Sequence, residues 1–91
     1  MQTRVAVIGI IVENPESTQE MNKVLHGYSQ YIIGRMGIPY REKGISIISI
    51  AVDAPQDAIS ALSGKIGRIP GVSAKTAYSN YTYPKDEETQ A

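Results

Sequence analysis

The side chains best suited to recognition chemistry crowd into one stretch, "GRMGIPYREKG", which carries Arg35, Tyr40, Arg41, Glu42 and Lys43. A guanidinium pairs with a carboxylate or phosphate through two parallel N–H donors, so Arg35 and Arg41, with the Tyr40 phenol, are candidates to bind a small anionic effector or a partner subunit. Glu13 and Asn14, at the mouth of the first strand–helix connection, are further candidate contacts. The same stretch has a plainer use, because charge and proline on an edge strand protect it from pairing with other chains. Both readings can hold at once.

No catalytic constellation stands out elsewhere. The chain has no cysteine, which excludes disulfides, thiolate nucleophiles and cysteine-held zinc or iron–sulfur clusters within it. His26 is the single histidine, so a histidine-rich metal site would need several subunits, and a helix-surface position is the simpler assignment. Asp53 and Asp57 flank the start of a helix, where carboxylates compensate the macrodipole. The glycines of "SGKIGRIPG" are not spaced as in a P-loop and fall at a helix end, so they make no phosphate cradle. No metal, cofactor or catalytic residue is assigned.

The elements that would carry these residues can be read from apolar periodicity. "RVAVIGIIV", Arg4 to Val12, and "ISIISIAV", Ile45 to Val52, are apolar at odd and even positions alike, as in strands covered on both faces. Between them, Asn14 caps and Pro15 opens a helix that puts Met21, Val24, Leu25 and Tyr28 on one stripe. Tyr31 to Tyr40 is strand-like but broken by Gly34, Gly37 and Pro39, which suits an edge. A second helix starts around Asp53-Ala54-Pro55 and repeats Ala58, Ile59, Leu62, Ile66 and Ile69. It carries Lys65 and Arg68 in its last turns and stops at Pro70-Gly71. The last strand, Val72 to Tyr78, alternates apolar and polar residues, so one of its faces is wet.

The order β-α-β-β-α-β predicts an α+β, ferredoxin-like sandwich: a four-stranded antiparallel sheet with both helices on one face. First and third strands are central in that topology, which agrees with their continuous apolar runs. One domain spans residues 1–79, and residues 80–91 form a polar, flexible tail. Two helices cover one sheet face only, yet Val5, Val7, Ile11, Ile45 and Ile47 point to the other. Such a patch marks an interface. The expected partner is a second copy, giving a homodimer or homotetramer packed sheet to sheet, edge to edge, or both. The alternative is that the C-terminal tail folds back over that face, although "NYTYPKDEETQA" is polar with two tyrosines as its only large anchors.

Composition narrows the function classes. Formal net charge is zero, which argues against an autonomous nucleic-acid binder. An RNA-binding version of this topology places aromatics on its central strands, and the six tyrosines lie elsewhere. An acylphosphatase-like site needs an arginine-bearing loop after the first strand, where Glu13 and Asn14 stand. The opening apolar run is too short to span a bilayer and lacks a cleavage signature, so a cytoplasmic protein with no membrane contact is expected.

The segments "RVAVIGIIVE", "YIIGRMGIPYREKGISIISIAVD" and "SALSGKIGRIPGVSAKTAYS" together resemble the small proteins called iron-only hydrogenase system regulators, over most of the chain up to Ser79. "RIPGVS" is also similar to a segment of ACT domains and of the C-terminal domain of the nickel-responsive repressor. The resemblance implies an oligomeric, ligand-responsive or interaction domain of ferredoxin-like, ACT-like form. The function expected is non-enzymatic regulation, transcription regulation included, through a small effector bound at a subunit interface. The alternative is a structural or partner-binding assembly domain with no small ligand. The nickel repressor's histidine and cysteine ligands and its separate DNA-binding segment have no counterpart here.

Overall fold

A computed structural model describes residues 2–84 of the chain, with side chains placed for residues 2–80. The elements follow the order β1 (Gln2–Val12), α1 (Thr18–Gly27), β2 (Ile32–Tyr40), β3 (Ile45–Ala54), α2 (Gln56–Gly67) and β4 (Val72–Pro84), with short 3-10 turns at Pro15–Ser17 and Ser29–Tyr31. The sheet order is β2-β3-β1-β4 and every pairing is antiparallel. The two uniformly apolar strands are therefore central, and the interrupted and half-polar ones are the edges.

Alternation along the central strands sorts their side chains into two populations. Ala6, Ile8, Ile10 and Val12 of β1 and Ile48, Ile50, Val52 and Ala54 of β3 are buried under the helices, which contribute Met21, Leu25, Ile59, Leu62 and Ile66. Burial of each such aliphatic side chain stabilises by about 1.5–3 kcal/mol relative to exposure. On the other side no helix lies, and Val7, Ile11 and Ile47 remain about two-fifths exposed (43%, 40% and 41%).

Local chemistry sets the element ends. The Asn14 side chain accepts from the Glu16 N–H at 3.1 Å, capping the 3-10 turn that Pro15 opens, so the α-helix proper begins three residues later, at Thr18. The Glu13 N–H donates to the Gly71 carbonyl at 2.7 Å and Ser17 Oγ to the Pro70 carbonyl at 2.5 Å, so the β1–α1 connection is bound to the α2–β4 connection. Gly71 has φ +76°, and a Cβ there would stand 2.7 Å from Asn14 Cβ, so glycine is required on two counts. At the opposite pole Arg4 donates to Gln56 Oε1 (2.6 Å) and to the Ser79 carbonyl (2.8 Å), with its guanidinium 4.5 Å from the centre of the Tyr78 ring.

Two boundaries differ from the sequence expectation. Asp53 does not cap the second helix: it lies inside β3 opposite Val5, the N-cap position is Pro55, and the acid in the helix's first turn is Asp57. The residue before a proline favours extended backbone, so the strand continues to Ala54. The last strand also runs past Tyr78 to Pro84, because Gln2, Thr3 and Arg4 pair with Pro84, Tyr83 and Thr82 beyond a register shift in the ladder. The limit drawn at residue 79 thus falls within a strand, and of the flexible tail expected over residues 80–91 the part beyond Pro84 lies outside the described residues.

Candidate functional site: the open face of the sheet

The register places the five candidate contacts separately. Tyr40 pairs with Ile45 at the end of the sheet where Val12 pairs with Ser46, so Glu13 and Asn14, just past Val12, stand at the same pole as Tyr40 and Arg41. One strand, β3, separates the two pairs, a spacing of about 10 Å across the sheet. Tyr40 donates its phenolic proton to Glu42 Oε1 at 3.0 Å, and Arg41 is exposed in the turn. Asn14 is occupied as a cap.

Arg35 is elsewhere. It pairs with Ile50, on the helix side of β2, and donates to Asn22 Oδ1 of α1 at 2.8 Å. Five residues of strand put it about 16 Å from Tyr40 and on the opposite face. The two guanidinium forks therefore do not converge on one anion.

What the sheet does bring together is apolar. Ile11, Ile47 and Ile38 stand side by side on β1, β3 and β2, and Val7 lies beside Ala51 in a parallel row. Met36 and Ile38, on the edge strand, are 62% and 52% exposed, so this surface is continuous from the sheet centre to its rim. β2 itself is covered on neither face, in contrast to β3.

Between these rows is a third, in which Lys75, Gly9, Ser49 and Met36 are neighbours. The missing side chain at Gly9 leaves a depression of about 360 Å³, whose lining is almost all apolar and includes Ile11, Ile47, Ser49, Ser73 and Lys75. None of Gly9, Ser49 and Lys75 was singled out from the sequence. The available signal was a glycine inside "AVIGIIV", a run otherwise suited to a central strand.

Among the described residues no group of three or more histidine, cysteine, aspartate or glutamate side chains is arranged to hold a metal ion. His26 is exposed in the last turn of α1. No helix of the described residues is long and apolar enough to cross a membrane.

The fold and its open face define a ferredoxin-like, ACT-like α+β domain. A formyltetrahydrofolate deformylase from Pseudomonas putida KT2440 has the same fold over 85% of this chain and 30% of its own, with a TM-score of 0.62 and 13% identity. The TM1266-like family, described as "Iron-only hydrogenase system regulator, putative", matches residues 4–76, and the chain belongs to that family. The structure of the uncharacterized protein TM1266 from Thermotoga maritima superposes with a TM-score of 0.80 at 36% identity, covering 84% of this chain and 96% of that one. No curated protein matches the chain.

Proposed function

We propose that this chain is a non-enzymatic regulatory domain of an iron-only hydrogenase system, working as a homo-oligomer that binds a small effector where two subunits meet. The observation that carries this reading is the continuous apolar surface of Val7, Ile11, Ile47, Ile38 and Met36 on the face that the helices leave open. Several aliphatic side chains exposed together favour a second surface over water, at about 25 cal/mol per Å² removed from it. Family membership supports the regulatory part. Regulation then works by linkage: an effector touching two subunits favours one assembly by its differential affinity, and a downstream partner reads that assembly.

Sedimentation velocity at micromolar concentration tests the assembly. Wild type is expected to run as a dimer or larger, and Ile47→Lys as a folded protomer. A wild-type chain sedimenting alone refutes the reading. The second reading, an assembly domain with no small ligand, is favoured by the separation of Arg35, on the helix side of β2, from Arg41, in the turn beyond Tyr40. Native mass spectrometry of freshly purified protein separates the two, since only an effector-binding domain carries a co-purifying small molecule.

A further inference from the structure

Gly9 is unexplained by the fold that contains it. It sits in the middle of a central strand, where glycine gives up conformational freedom and contributes no packing. Its backbone does not occupy the left-handed region, and an added Cβ would meet nothing nearer than the Lys75 carbonyl oxygen at 3.9 Å. A side chain would fit, so nothing among the described residues calls for a glycine there.

We propose that the depression over Gly9 binds a small apolar carboxylate, with its hydrocarbon body against Ile11 and Ile47 and its carboxylate on the Lys75 ammonium. This rests on the regulatory reading above and deepens it, by naming the ligand class and placing the ligand on the face that a second copy covers. The lining is almost entirely hydrocarbon, and Ser49, Ser73 and Lys75 are among the residues that form it. Its volume of about 360 Å³ lies at the small end of ligand sites, which run from roughly 300 to 1,000 Å³.

Charge complementarity selects an acid. Among the described residues no side-chain hydrogen bond or ion pair engages the Lys75 ammonium, while its backbone lies opposite Gly9 in the ladder. The carboxylates on the neighbouring strands, Asp53 and Glu13, are four residues along from the Gly9–Ser49 pair, about 13 Å away by strand rise alone. Once the face is covered, an ammonium without a counter-anion would lose its hydration with nothing in return. A carboxylate on a hydrocarbon body supplies the counter-ion and fills the space together.

The test is an NMR titration of the full chain with sodium hexanoate, hexan-1-ol and hexylamine, three probes that share a body and differ in charge, with sedimentation run on the same samples. Hexanoate is expected to shift the Gly9, Ser49 and Lys75 amides saturably, at least tenfold more tightly than hexan-1-ol, with hexylamine inert. Lys75→Gln, on an exposed edge position, should equalise acid and alcohol, and Gly9→Leu should abolish binding. Should Gly9→Leu not fold, the Lys75→Gln comparison still decides. Equal affinity for acid and alcohol in wild type, no saturable shift, or shifts centred on Arg41 each overturn the proposal. An oligomer that ignores hexanoate removes the ligand site and leaves the assembly. A lone protomer that binds hexanoate removes the assembly and leaves the site.

Discussion

The central strands of this sheet put branched aliphatic side chains on both faces, in different surroundings. Ile8, Ile50 and Val52 have no measurable exposure, whereas Val7, Ile11 and Ile47, their immediate chain neighbours or near neighbours, remain about two-fifths exposed. Only the helices make the difference. Side-chain type therefore reports the environment a position was shaped for, and on the open face the assembly proposed above would supply that environment.

Substitutions can break that comparison, beginning with the covered face. Ile50→Ala should lower the unfolding free energy by about 3–4 kcal/mol, read by urea denaturation, since the cavity lies beneath both helices. Next comes Gly71→Ala, which puts a Cβ against Asn14 at a positive φ and should cost about 2 kcal/mol by the same assay, disturbing the join between the two connections. Ile47→Ala should cost a dilute protomer only about 0.5–1 kcal/mol while weakening self-association in sedimentation, the signature of a residue whose burial is intermolecular. The smallest effect is expected for Arg35→Ala, within about 0.5 kcal/mol, because its bond to Asn22 is exposed. Equal costs for Ile50→Ala and Ile47→Ala at protomer concentration would erase the distinction between the faces.

Much of the architecture was legible because hydrophobic patterning differs between rim and centre. "ISIISIAV" has no polar stretch and could only be an inner strand, while Gly34, Gly37 and Pro39 marked the edge. The end of β4 was not legible, since residues 82–84 are held by pairing with Gln2 to Arg4 at the far end of the chain, a non-local contact that no window around "NYTYP" contains. Asp53 looked like a cap because it precedes Ala54-Pro55, and ladder pairing with Val5 won instead.

The candidate site was less legible than the fold. Arg35, Tyr40 and Arg41 are close in sequence, but a strand separates its residues by more than 3 Å each and turns alternate ones to opposite sides, so proximity along the chain becomes distance in space. Tyr40, Arg41, Glu13 and Asn14 do share a pole of the sheet, which the βαββαβ order alone implies. The depression at Gly9 is defined by a side chain that is not there and by Lys75, a residue 66 positions away that only the ladder makes a neighbour.

The join at Glu13, Ser17, Pro70 and Gly71 has one more consequence. Because the entrance to α1 and the exit from α2 are fastened to each other, the helical layer and the inner strands must tilt as a single block. The β2 hairpin has no such backbone fastening: it hangs from β3, with the exposed Arg35–Asn22 bond as a side-chain tie to α1, like a hinged flap on a rigid frame. Whatever meets the flap can bend it without loosening the core.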